Sequence, residues 1–369
     1  MGNSVSIDAL RSEMWAKELY ANVMDNLYFT NKNMMGTGDN NLVKVKDDLV
    51  KSNGDAINFG ITYKLSGDGI TGDETAEGNE EAITPYHQKV AIDFIRNQVR
   101  LTGKLDEKKN SYDMRSDAKG KLSIWLQEYI ERQIFLKAGG VTTTTLTDVN
   151  GSVYSGRATW SNSAAVVPQV DEAAGSGDRY ICACATGLDD IAASDVLTVD
   201  MVTEAKVKAQ LANPQIRPIK VGGMEYYVMF VHPYQAADIK KSTSNNTWFD
   251  AQKDAALRGE KNNIFTGALG IWNGVIIHEH SYVPTCQSAS AFGVGGEACN
   301  ARTFRALLMG QDALCYANAN NNGEGFVEET FDYKNKVGYS TGFMGGIQKA
   351  TFNSLDYGII TVDSGATDL

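Results

Sequence analysis

Residues 66–82 read SGDGITGDETAEGNEEA, with six acids, four glycines and no base. No core can be built from them, so they form an exposed tip. They are flanked by two segments of strand character. Ala56 to Leu65, AINFGITYKL, alternates apolar and polar positions, and Val90 to Leu101, VAIDFIRNQVRL, is the return. Strand, acidic tip and strand predict a long protruding hairpin. An isolated hairpin is marginal in water. The chain is therefore expected to use something outside its own fold to cover it.

Other local signals define more elements. Residues 6 to 29 carry apolar residues at helical spacing, with Ser6 as a cap and Asp8 in the first turn. The clearest helix is Asp113 to Lys137, capped by Asp113 or Ser116 and ended by Gly139-Gly140. Its expected apolar stripe is Leu122, Trp125, Tyr129 and Leu136, widened by Ile124, Ile130 and Ile134, with Glu128 and Arg132 at ion-pair spacing. Val199 to Ala212 reads as a shorter helix stopped by Asn213-Pro214. Lys220 to His232 is β-rich, and PYQAADIKKS after it starts a helix on Pro233. Asn273-Gly274 marks a hairpin turn within Leu269 to His280. Arg302 to Ala317 mixes strand and helix patterns, and the remainder is extended. The order is helix, hairpin, long helix, mixed lobe and final strands, which is α+β without a βα repeat.

At 369 residues the chain is long enough to bury a large core without staples. The formal charge of −11 repels nucleic acid at long range. That excludes a typical sequence-reading DNA binder but not a protein that encloses DNA. The five cysteines are odd in number and none shows CxxC spacing, so free thiols in a reducing compartment are expected. No apolar run approaches the ~20 residues needed to span a bilayer, and the start lacks signal-peptide character.

Two of the four histidines, His278 and His280, flank Glu279. On a strand, both imidazoles share one face. Zinc needs a third or fourth ligand. His232 and Cys286 are the nearby soft candidates, yet no spacing brings them together, and HExxH is absent. A zinc-dependent hydrolase using His278 and His280 is the alternative function. Walker A, GxSxG and GxGxxG motifs are missing.

FTGALGIWNGVIIHEHSYVP (265–284), YYVMFVHPYQAADIKK upstream and the closing FDYKNKVGYSTGFMGGIQKATFN resemble the major capsid proteins of tailed bacteriophages, in the group found in schitovirus-type podophages. The resemblance implies the Johnson fold. Residues 1–50 would be the N-terminal arm and 51–103 the extended E-loop hairpin. Residues 104–215 would be the peripheral domain with its spine helix, 216–333 the axial domain, and 334–369 strands returning to the peripheral domain. It also implies a structural role without catalysis or cofactor: self-assembly through pentamers and hexamers into an icosahedral head shell around double-stranded DNA, in the virion after assembly in the bacterial cytoplasm. Scaffold, portal and decoration proteins are the possible partners. The acidic tip (Asp68, Asp73, Glu74, Glu77, Glu80, Glu81) would then meet a neighbouring subunit on the basic stretch Lys104, Lys108, Lys109, Arg115, Lys119 and Lys121.

Overall fold

The computed structural model describes residues 20, 22–50, 53–62, 70–72, 75, 77, 80, 85–141, 145–147, 153–155, 179–184, 190–241, 268–286, 301–320, 326–352 and 355–366. Two large β-sheets, three two-stranded ladders, one long helix and four shorter α-helices organise them.

The long helix is Met114–Ala138, and Asp113 caps it by accepting from the amides of Arg115 and Ser116. Its buried face, including Leu122, Leu126, Tyr129 and Ile130, packs on the strand Lys336–Lys349. Ile124 was expected in this stripe but is 56% exposed. It lies one turn from Gly120, on the opposite face from Leu122 and Leu126. Arg132 places its guanidinium over the Tyr282 ring, 5.2 Å from the centroid.

Lys336–Lys349 is the axis of a six-stranded sheet. Along one edge it takes Leu314–Asn318 and then Val327–Phe331, and along the other Asp93–Arg100. Leu314–Asn318 also pairs in parallel with Val43–Lys46, which in turn pairs with Met35–Gly36. The eight-stranded sheet runs Ala268–Trp272, Val275–Glu279, Met224–Val231, Thr303–Met309, Ile359–Gly365 and Tyr180–Cys182, with Ile219–Val221 and Thr285–Cys286 added at its margins. Its central strands are buried on both faces, so they carry near-continuous apolar runs. One face packs against the long helix and the 23–35 segment. The other packs against the helices Val199–Leu211 and Pro233–Lys241.

The two legs of the expected hairpin pair at their root, most of the tip lying outside the described residues, but the return leg differs from expectation. Ala56–Thr62 pairs with Pro85–Ala91 in a two-stranded ladder, from Ala56 opposite Ala91 to Thr62 opposite Pro85. The chain then breaks at Ile92, and Asp93–Arg100 joins the six-stranded sheet. The Asp93 carboxylate accepts from the Phe94 amide, 2.7 Å away, at this departure point. Alternation alone does not name a strand's partner. The root of the hairpin is anchored by Ile57, Phe59 and Val90 against Cys315, Ala317, Ala350 and Tyr357.

The segment 302–317 resolves into two strands that belong to different sheets. Thr303–Met309 lies in the eight-stranded sheet and Leu314–Asn318 in the six-stranded one. A second crossover follows Lys349 and delivers Ile359–Gly365 to the eight-stranded sheet. The Gly310 amide donates to the Gly358 carbonyl at 2.9 Å, tying the two crossovers together. A side chain at Gly310 would run into Ile216 and the Arg217 carbonyl. Leu314–Asn318 pairs with Val43–Lys46 and with Lys336–Lys349, while the last strand pairs with Thr303–Met309.

Cys286 is disulfide-bonded, its partner lying outside the described residues, which corrects the expectation of free thiols throughout. Spacing in sequence carries no information on Cβ proximity. Cys182, Cys184 and Cys315 are free.

Candidate functional site

The histidine pair sits where strand geometry puts it. Val275–Glu279 pairs in parallel with Met224–Val231, so His278 lies opposite Phe230. Both imidazoles point toward Tyr28, and Glu279 points outward to within 3.8 Å of Lys240. The Tyr28 hydroxyl is 2.9 Å from His278 Nδ1. His280 stacks on Phe135 with centroids 4.5 Å apart, and its Nδ1 accepts from the Tyr282 amide at 3.1 Å. Burial, reinforced by His278, lowers the His280 pKa to about 4. The ring is therefore neutral at pH 7 and packed as an aromatic.

The other soft ligands are engaged separately. His232 stacks on Phe304 at 4.5 Å and accepts from the Tyr234 amide, with its pKa lowered to about 4 by burial. Cys286 is oxidised. The Cys182 thiol is pushed up to about 12 by burial. Among the described residues no group of three or more His, Cys, Asp or Glu is placed to hold a metal. Nothing supports the zinc-hydrolase alternative.

The charged candidates divide. Glu77 and Glu80 of the tip are exposed, whereas Asp68, Asp73, Glu74 and Glu81 lie outside the described residues. Lys104, Lys108 and Lys109 are exposed on the helix Lys104–Lys109 and form no ion pair among the described residues. The other three basic residues have partners in their own chain. Arg115 grips Glu107 at 3.0 Å. Lys119 lies 3.8 Å from Glu328 and over the Tyr339 ring. Lys121 is 3.3 Å from Asp117. The i,i+4 acid at Asp117 was readable from sequence. Glu328 was not, because it arrives on a strand distant in the chain.

Sequence reasoning also missed a buried charge node. Arg305 makes a two-pronged pair with Asp363 at 2.7 and 2.8 Å, both side chains fully buried. Arg305 also donates to the Gly139 carbonyl, and Tyr180 donates to Asp363 at 3.0 Å. One node thus joins the end of the long helix to three strands. Lys349 and Asp356 form a second buried pair at 2.9 Å.

A polar cavity of roughly 250 Å³ lies between the hairpin root and the crossovers, lined in part by Lys44, Phe59, Arg217, Asp312 and Tyr357. Burial raises the Asp312 carboxyl to about 6. Hairpin, exposed lysines and neutral packed histidines describe surfaces and a core.

Comparison with known proteins agrees. Residues 3–368 match the family described as "Phage capsid protein". The chain is 26% identical over 376 residues to the major capsid protein of Pseudomonas phage KPP25, covering 98% of this chain and 97% of that one. The capsid of Ralstonia phage GP4 superposes with a TM-score of 0.77 at 26% identity, over 93% of this chain and 92% of the other. The Cyanophage Pam1 capsid shares the fold, with a TM-score of 0.69 at 23% identity and 94% of each chain covered. The α+β architecture is the Johnson-type fold of phage capsids, and the chain belongs to the phage capsid protein family.

Proposed function

We propose that this chain is a major capsid protein, assembling in the host cytoplasm through pentamers and hexamers into the icosahedral head shell around phage double-stranded DNA. The family match over residues 3–368 carries this reading. The hairpin supports it, because among its described residues the root is covered by the chain's own core while residues 70–72, 75, 77 and 80 are exposed. The arm, hairpin, long helix and two sheets then take the roles of N-terminal arm, E-loop, spine helix, and peripheral and axial domains. Repeated heterologous contacts close such subunits into rings about the symmetry axes. Scaffold, portal and decoration proteins are the further partners this role implies.

Within that shell the acidic tip docks on the basic stretch of the next subunit. Arg115, Lys119 and Lys121 are already paired in their own chain, so the docking charge rests on Lys104, Lys108 and Lys109. Exposed pairs contribute only ~0.2–1 kcal/mol each, but every subunit interface repeats them. Sedimentation of the purified full-length chain tests assembly. Pentamers, hexamers or shells support it, and a sharp monomer at high concentration in several salts overturns it.

A further inference from the structure

The strand Tyr180–Cys182 lies at one edge of the eight-stranded sheet, pairing with Ile359–Gly365 and with no further strand among the described residues. It ends on a cysteine, and the chain then bends so that a second cysteine follows two residues later. The Cys184 amide donates to Cys182 Sγ at 3.4 Å, and the two thiols share a hydrogen bond. Both are reduced and only half-buried. A cysteine kept for packing is normally sunk in the core, as Cys315 is here at 3% exposure.

Two sulfurs in contact, one of them already oriented by an amide N–H, make a chelating arrangement. Hydrogen bonds to sulfur are among the contacts that orient and tune thiolate–metal centres. We infer that Cys182 and Cys184 bind a soft monovalent cation, of the copper(I) and silver(I) class, between their sulfurs. Ligand type and ligand number select that class. Thiolates favour soft ions such as copper(I). Zinc takes four protein ligands in a structural site and three plus water in a catalytic one, and no group of three or more His, Cys, Asp or Glu is placed to hold a metal among the described residues. The neighbouring carboxylate, Asp363, is already held by Arg305 and Tyr180. Burial keeps the Cys182 thiol protonated at pH 7. The bound ion must displace that proton, which again favours a cation with high affinity for sulfur. The site stands independently of the shell-forming role proposed above.

Phenylarsine oxide tests the pairing in dissociated full-length subunits. It condenses with two adjacent thiols: two As–S bonds form, and the arsenic-bound oxygen leaves as water with both thiol protons. No oxidant or reductant is consumed, so the Cys286 disulfide stays intact. Native mass spectrometry should show one adduct per wild-type chain. Cys315→Ala should keep the adduct, and Cys182→Ser and Cys184→Ser should each lose it. Melting temperatures near wild type would show that both serine variants are folded.

Silver(I) tests the cation. One equivalent added to the wild-type chain beforehand should suppress the adduct. In competition with excess methionine, each serine variant should hold silver at least about tenfold more weakly than wild type, because removing a ligand costs no less than the roughly 10–100-fold of removing a supporting partner. No adduct on the wild-type chain, or an adduct that survives in either serine variant, would overturn the pairing. Silver that fails to block the adduct, or that binds the serine variants as tightly as wild type, would overturn the cation site; the wild-type blocking experiment decides this even if a variant does not fold.

Discussion

The Tyr28 hydroxyl lies 2.9 Å from His278 Nδ1, joining residues 250 positions apart. The Tyr28 amide meanwhile donates to Glu131 at 2.8 Å. One residue near the start of the chain therefore fastens the eight-stranded sheet to the long helix. The preceding turns continue across to the six-stranded sheet, where Tyr20 stacks on Phe343 and donates to Asn318. This segment is part of the core, since Val23, Leu27 and Phe29 are buried.

Tyr28→Phe keeps the ring and removes the hydroxyl. The expected loss is about 1 kcal/mol, the usual net worth of one hydrogen bond. Urea unfolding of dissociated subunits measures it. An unchanged midpoint would show that the hydroxyl contributes nothing to the junction.

Acid is expected to loosen the core through His232 and His280. Both take up a proton near pH 6.5 when unfolded and only at about 4 when folded. The unfolded chain binds more protons between those values, so stability falls as pH drops from about 6.5 to about 4. Asp312 works against this: its carboxyl is raised from 3.8 to about 6, so it favours the folded state as pH falls through that range. Glu131 and Asp356, whose carboxyls burial also raises, act in the same sense as Asp312. The histidine part is therefore read by comparison: His280→Phe, which keeps the aromatic stack, should gain urea midpoint relative to wild type as pH drops from about 6.5 to about 4. A difference between the two proteins that stays constant over this window would contradict the assignment.

Arg305→Met leaves the Asp363 carboxylate buried without its main counter-charge. Breaking such a pair costs about 3–5 kcal/mol. The double variant Arg305→Met with Asp363→Leu should recover much of that loss, because the uncompensated charge is gone. Equal destabilisation of the single and double variants, by calorimetry, would mean that packing around the node matters more than the charge.

How much of this was legible follows from where each signal lives. The long helix was readable because its cap, periodicity and terminal glycines are local. Asn273 and Gly274 likewise adopt the positive φ values of 45° and 77° that their hairpin turn requires. The partner of Asp93–Arg100 was not readable, since alternation fits either sheet. Nor was the division of 302–317 between two sheets, which depends on Gly310 and Asp312 turning against Arg217 and the 358 crossover. Arg305 and Lys349 look like surface residues until the fold closes Asp363, 58 positions on, and Asp356, 7 positions on, against them. The histidine pair was correctly placed on one face. That Tyr28 fills the face was hidden by the separation in sequence.

Replacing Asp68, Asp73, Glu74, Glu77, Glu80 and Glu81 by Asn and Gln should slow assembly most at low ionic strength and least near ~1 M salt, where the Debye length is about 3 Å. Light scattering follows the rate. The same slowing at both salts, or none at either, would show that the tip acts through shape or faces solvent.

The central claim is that this chain builds a closed shell, and negative-stain electron microscopy of the expressed full-length protein tests it most directly. Closed icosahedral particles, or rings of five and six subunits, are the predicted result. A field of single subunits at concentrations and salts that span assembly conditions would contradict it.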